Sequence, residues 1–231
     1  IIDALAQGPM TREALKARCR AAGMTQAEEG SMFHPWGGGI RELCERGFLC
    51  GTVSEEKAFR LCPAFTPMEE QDALLEQTRR YFTNYGPASV RDAAYYFGTS
   101  QAEIEKRLAR LPVEVAECEG QRLFSLHSGR MPEQALPDCL LLAGFDPLVL
   151  GYEKKQSIFL PQEYLRGIFS LSGIVMPPVL LHGSVAGRWK HSGKRLLITQ
   201  FRPFSQEERG FAEAAAAQLW GEAVQPVFQD A

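Results

Sequence analysis

The sequence predicts an α+β chain: two small helical modules, each ending in a two-stranded hairpin, then a small β-sheet or barrel closed by a terminal helix. Three observations predict it. A Gly-Pro step recurs behind a helical pattern, at "GPMTREAL" from Gly8 and at "GPASVRDA" from Gly86. Each recurrence leads into further helical patterns and then into a pair of β-like runs. Beyond residue 136 the helical period gives way to short apolar runs separated by turn residues. These patterns divide the chain at 1–66, 67–130 and 136–231.

"IIDALAQ" and "DALLEQTRRYFTNY" read as helices that Gly8 and Gly86 stop, glycine taking the left-handed turn and proline blocking continuation. Thr11 and Ser89 are the N-cap residues of the next helices, with Asp92 three residues after Ser89. "TQAE" at Thr25 to Glu28 and "SQAE" at Ser100 to Glu103 are both capping-box patterns. The helix opened by Ser100 carries Ile104, Leu108 and Leu111 on one side and Lys106, Arg107 and Arg110 on the others. In the first module the third helix starts after "HPWGGG" and runs through Ile40, Leu43 and Cys44 to Gly47. The runs "FLCGTV" and "KAFRLC" close the first module; "VEVAECE" and "QRLFSL", joined around Glu119-Gly120, close the second. Three helices and a hairpin make a winged helix, whose third helix can enter a major groove while the hairpin touches backbone. Such modules also serve as protein-docking or purely structural units, and both readings stand. The first has eight basic and eight acidic residues over 1–62, the second eight and eleven over 63–135, so neither resembles a strongly basic repressor domain. They fit better as walls of a larger site that holds DNA along one face.

"GRMPEQALPD", Gly129 to Asp138, has two prolines and no hydrophobic period, and reads as a linker. After it "CLLLAGF", "LVLGY", "QSIFL", "PPVLL", "SVAGRWK" and "RLLITQF" read as strands, with turns at His182-Gly183 and Ser192-Gly193. Pro161 sets the start of a short helix carrying Tyr164, Leu165, Ile168 and Phe169. A final helix from Ser205 to Trp220 has Phe211, Ala215 and Leu219 along one stripe, and Ser205 with Glu208 forms another capping box.

Composition narrows the function. With 231 residues, 45% of them hydrophobic and 23% charged, the chain can bury an ordinary core. No run is long enough for a membrane span, and no signal peptide is expected. The six cysteines show no C-x-x-C spacing and none sits near a histidine, so no metal site and no cofactor is expected. Reduced, buried thiols fit a cytoplasmic location. The chain opens at Ile1 inside an apolar helical pattern, from which we expect it to be the C-terminal part of a longer protein.

The densest basic cluster is "RWKHSGKR", with Arg188, Lys190, Lys194 and Arg195 around Trp189 and His191 and no acid. On a hairpin, such a cluster can grip phosphates while the indole stacks on a base. Equally, it can be a solvated hairpin tip with Trp189 turned into the core. Arg107 and Arg110 would add contacts from the second module. Lys154-Lys155 is a weaker hint of the same kind. Asp146 also has two readings: a carboxylate that stabilises a cationic sugar beside Phe145 and Tyr152, or an Asp-Pro turn opener bonded to its own backbone. His34 before "PWGGG" marks a loop that could approach a nucleic-acid backbone or simply turn the chain. His127, His182 and His191 form no Ser/His/Asp arrangement.

"GFDPLVLGY", "LPQEYLRGIFSLSGIVMPPVLLHGSVAGRWK" and a helix ending "AAAAQLWG" resemble the bacterial winged-helix proteins that include the AlkZ-type DNA glycosylases. The resemblance is strongest from Leu140 to Lys190, fair over "NYGPASVRDAAYYFGTSQAEIEKRLARL", and looser in the first module. It implies tandem winged helices and a C-terminal β-domain around a DNA-sized channel. It implies duplex DNA as partner, including DNA with alkylated or cross-linked bases, and metal-free hydrolysis of N-glycosidic bonds. In that branch a Gln-x-Gln pair near the N-terminus positions the attacking water; none occurs in this sequence, and it would precede Ile1. A non-catalytic DNA-binding regulator and a protein-interaction scaffold remain the alternatives.

Overall fold

The computed structural model describes residues 1–53, 56–118, 120–126, 136–221 and 224–231. They divide into two compact units, Ile1–Pro67 and Met68–Ala231. The expected linker from Gly129 falls largely outside the described residues, as do His127 and Glu119.

The first unit runs α1 (Ile2–Leu5), β1 (Met10–Thr11), α2 (Arg12–Ala21), α3 (Gln26–Met32), α4 (Gly38–Glu45), β2 (Leu49–Gly51) and β3 (Ala58–Leu61). Thr11 caps α2 by accepting the Ala14 N–H, and Thr25 with Glu28 forms the full capping box of α3. Leu5, Leu15, Phe33, Ile40 and Leu49 form its core. β1 pairs with β3, so the hairpin gains a third strand, in the order β1-β3-β2.

The second unit opens with α5 (Glu70–Asn84), α6 (Val90–Phe97), α7 (Gln101–Leu108), β4 (Glu114–Cys118) and β5 (Gln121–Ser125). The Gly-Pro repeat is structural. After Gly8-Pro9, Met10 pairs with Phe59 of the hairpin; after Gly86-Pro87, Ala88 bridges Phe124 of the hairpin. Each step thus carries the chain along its hairpin before an N-cap turns it into a helix. Gly86 is not in the expected left-handed region. Glycine is required there by contact, since a Cβ would lie 2.9 Å from the Ser125 Cα and against the Phe82 carbonyl. Ser89 and Asp92 complete a capping box. The one opened by Ser100 is half formed: Ser100 accepts the Glu103 N–H at 3.2 Å, while the Glu103 carboxylate accepts from Lys106 at 2.6 Å instead.

The chain continues through β6 (Cys139–Leu141), α8 (Pro147–Leu150), a 3-10 turn over Gln162–Tyr164, α9 (Leu165–Ile168), β7 (Pro178–Leu181), β8 (Ser184–Ser192), β9 (Arg195–Gln200), α10 (Gln206–Trp220) and β10 (Gln225–Asp230). The strands form one open sheet in the order β10-β9-β8-β7-β6, so the barrel alternative is not the one adopted. β10 was not expected; it returns beneath α10 and lies parallel to β9. Two expected strands are absent. "LVLGY" is helical, because Asp146 caps it and Pro147 sits at its first turn, and "QSIFL" forms bends. An apolar run of that length cannot by itself be assigned to strand or helix.

α10 covers one sheet face with Ala212 and Ala216, both fully buried against Val179, Leu181, Leu196 and Ile198. Of the expected stripe, Phe211 and Ala215 pack against this core half-buried, beside the fully buried Ala212 and Ala216, while Leu219 points outward at 55% exposure. On the other face, Leu180 and Val185 meet Val149, Leu160, Ile168 and Val175 from the α8–α9 segment. The helical and sheet halves of this unit are joined by buried polar contacts. Tyr81 Oη donates to the Gly151 carbonyl at 2.7 Å, Tyr152 Oη donates to the Tyr85 carbonyl at 2.6 Å, and Asp92 accepts the Glu153 N–H at 2.9 Å.

Candidate nucleic-acid interface

The basic hairpin owes its geometry to a β-bulge. Leu180 pairs with Val185 but Val179 pairs with Gly187, so one extra residue is inserted in β8. A bulge of this kind reverses which side chains face which side. Val185 lies on the α8–α9 side, yet Trp189, after the bulge, turns to the α10 side. There it packs on the core, meets Trp220 edge-on at 5.2 Å, and donates its indole N–H to the Leu142 carbonyl at 2.8 Å. The half-buried indole thus packs against the core, as the core alternative has it, and its single donor is engaged there. Gly187 makes the bulge possible, since a Cβ there would come within 2.6 Å of the Thr199 carbonyl oxygen.

The same reversal sends Arg188 and Lys190 to the opposite face. Opposite residues of an antiparallel pair share a face. Arg188 pairs with Thr199, Lys190 with Leu197, and Ser192 with Arg195, so Arg188, Lys190 and Arg195 line one side of β8 and β9. In the parallel neighbour β10, Gln225, Val227 and Gln229 continue that face. None of these residues is acidic. A shallow cavity of about 490 Å3 lies here, with Arg188, Lys190, Thr199 and Gln229 in its wall. Arg188 is half-buried and its guanidinium Nη1 donates to the Gly167 carbonyl at 3.3 Å, which orients the charged head. Lys190, Lys194 and Arg195 are exposed, and no ion pair involves them among the described residues. Lys194 occupies the second position of the two-residue turn whose first position is Gly193, at φ 59°.

Arg107 and Arg110 lie elsewhere, at the end of α7. Arg107 is half-buried; Arg110 is exposed and sits 3.8 Å from Asp72. The exposed side of α7 also carries Glu105 and the Lys106–Glu103 pair, so its charge is mixed. Asp146 Oδ1 accepts the Leu148 N–H at 2.9 Å, the N-cap of α8, as an Asp-Pro turn opener would. His34 Nδ1 accepts the Trp36 N–H at 3.3 Å within its own loop. No group of side chains able to hold a metal occurs among the described residues, and no helix among them is long and apolar enough to cross a membrane.

One feature escaped sequence reasoning. Tyr81 and Tyr85 of α5 and Tyr96 and Phe97 of α6 form a continuous aromatic cluster, with Tyr81 and Tyr85 stacked at 5.1 Å and Tyr85 and Tyr96 at 5.4 Å. Burial drives the Tyr152 phenol up to about 12 and pushes the Tyr85 phenol up as well, with Tyr96 and Asp146 adding to the latter. Both of these phenols are uncharged at neutral pH. The signal was the aromatic density of "RRYFTNY" and "AAYYF".

An α+β fold of two helix-and-hairpin modules and a mixed sheet with a cationic face is a recognisable combination. The chain belongs to the family described as DNA glycosylase AlkZ-like, whose model matches residues 1–221. A curated relative, the interstrand DNA cross-link repair glycosylase of Streptomyces sahachiroi, is 28% identical over 216 residues, covering 87% of this chain. The chain spans 57% of that relative's length. The solved structure of Streptomyces sahachiroi DNA glycosylase AlkZ matches all of this chain and 67% of its own with a TM-score of 0.76 at 21% identity, a likeness of fold.

Proposed function

We propose that this chain binds duplex DNA as part of an AlkZ-like base-excision protein, and that Arg188, Lys190, Lys194 and Arg195 hold the phosphate backbone. What carries this reading is the acid-free sheet face on which the bulge gathers Arg188, Lys190 and Arg195. Cations without carboxylate partners are available to replace counterions along a phosphate backbone. We read the two helix-and-hairpin modules as winged helices. Arg107 and Arg110 are secondary contacts in this reading, since the surface of α7 also carries acids. The 1–66, 67–130 and 136–231 segments serve as three functional modules.

The relative's name points to cross-linked DNA as the substrate class, and the family resemblance adds alkylated bases. Hydrolysis of an N-glycosidic bond needs a placed water and stabilisation of a cationic sugar. The Gln-x-Gln pair that serves the water in the resembling branch does not occur in this sequence. Asp146 is committed to the cap of α8, so we assign it a structural role. These 231 residues by themselves are expected to bind DNA and not to release bases efficiently.

The test is a titration against labelled duplex DNA, with and without an alkylated base, at two salt concentrations. Binding should fall steeply with salt, and Lys190→Ala should weaken it for all sequences and lower the salt slope by about one. An unchanged slope removes Lys190 from the interface. No binding at low salt ends the reading in favour of a protein-interaction scaffold.

A further inference from the structure

The tyrosine cluster opens into a cleft of about 600 Å3 between α5 and α6, distinct from the basic sheet face. Gln77, Arg80, Tyr81, Asn84 and Tyr85 line it from α5, recurring at i, i+3, i+4, i+7 and i+8, so that one helix face supplies aromatic and amide groups together. Tyr96 of α6 packs directly against Tyr81 and Tyr85, at 5.0 and 5.4 Å, and is still 45% exposed where it lines the cleft.

The walls are already held in place. Tyr81 is tied to the Gly151 carbonyl and Tyr152 to the Tyr85 carbonyl. The Tyr85 ring lies so close to Gly151 that a Cβ there would strike it. The Asn84 side-chain amide donates to the Arg80 carbonyl at 2.7 Å, leaving its oxygen to accept. Arg80 stands at the rim, its guanidinium anchored on Glu76 at 2.7 Å. An exposed aromatic ring, amides that can both donate and accept, and a rim cation suit a flat heteroaromatic ring with hydrogen-bonding edges joined to an anion. An aliphatic ligand would leave the amides unmatched.

We propose that this cleft takes one unpaired nucleobase of the bound DNA, stacked on Tyr96, with Gln77 and Asn84 reading its edge and Arg80 near its phosphate. The proposal rests on the DNA-binding reading above and adds a site for a base outside the duplex stack.

Two labelled DNAs test it: a fully paired duplex, and the same duplex with one bulged 2-aminopurine, whose fluorescence falls on stacking. The bulged DNA should bind about tenfold more tightly, the size of one base stack on an aromatic ring, and its fluorescence should drop. Tyr96→Ala should abolish both the preference and the drop while leaving the affinity for paired duplex unchanged. Tyr96→Phe should keep them. Gln77→Ala, a milder change on an exposed side chain, should reduce the preference several-fold, so the test survives if Tyr96→Ala fails to fold by circular dichroism. Equal affinities for the two DNAs, or a preference that Tyr96→Ala leaves intact, overturn the cleft alone when Lys190→Ala still lowers the salt slope. Absence of binding to either DNA at low salt overturns the DNA-binding reading, and the cleft with it.

Discussion

The two faces of the five-stranded sheet follow opposite rules. On the α10 side, alanines let a helix approach closely, and Leu196, Ile198 and Val179 are fully buried beneath it. On the other side the α8–α9 segment covers only part of the sheet, around Leu180 and Val185; the remainder carries Arg188, Lys190 and Arg195. One strand, β8, serves both, and its bulge decides which residues go where. The lesson is that a cationic surface can be made by a single inserted residue without any change in composition. The covered face carries stability and the open one carries charge.

That division can be tested in order of expected effect. Ile198→Ala should destabilise this unit by about 2–5 kcal/mol through a cavity. Leu197→Ala, one residue away on the open face, should cost about 1 kcal/mol. Denaturant unfolding followed by tryptophan fluorescence reads both, because Trp189 and Trp220 report this sheet whereas Trp36 is already 85% exposed. Equal losses would break the contrast. Gly187→Ala should cost about 1–3 kcal/mol by forcing the bulge against the Thr199 carbonyl. It should also weaken DNA binding more than Lys190→Ala does, because it disturbs both faces; a neutral result in the same unfolding assay would show that the bulge can relax.

Ser205→Ala should cost about 1 kcal/mol by removing the N-cap of the covering helix α10. Glu208, in the same capping box, also has a signature in pH. The Arg202 guanidinium and the Ser205 N–H hold its carboxyl at about 2, below its usual 4.5. A carboxyl with a depressed folded-state pKa stabilises the fold above its unfolded value, and that stability is lost as the pH falls from about 4.5 to about 2. Glu208→Gln should therefore be less stable than the parent at pH 7 and converge with it only near pH 2, as acid titration of the folded fraction would show; a constant gap would mean the ion pair contributes nothing. Lys190→Ala should change stability by no more than about 0.5 kcal/mol, its effect appearing in DNA binding alone.

Local chemistry was legible in the chain. The boxes Thr25–Glu28, Ser89–Asp92 and Ser205–Glu208 form as their spacing suggests, because every partner lies within three residues. Ser100–Glu103 stopped halfway because Lys106, equally local, competes for the same carboxylate. The Gly-Pro repeat was visible, but its cause at Gly86 was not: the glycine answers to Ser125, thirty-nine residues away. The tyrosine cleft was hidden for the same reason, its walls coming from separate helices that meet only in the folded unit.

For the candidate interface the same boundary holds. Sequence alone determined that four cations flank Trp189 on a hairpin with no acid among them, since charge and turn propensity are properties of the residues themselves. Only tertiary structure decided that Trp189 goes inward and Arg188, Lys190 and Arg195 share the open face. Side-chain direction along a strand has a period of two, and one inserted residue, stabilised by contacts with distant Thr199 and Val179, reverses everything after it.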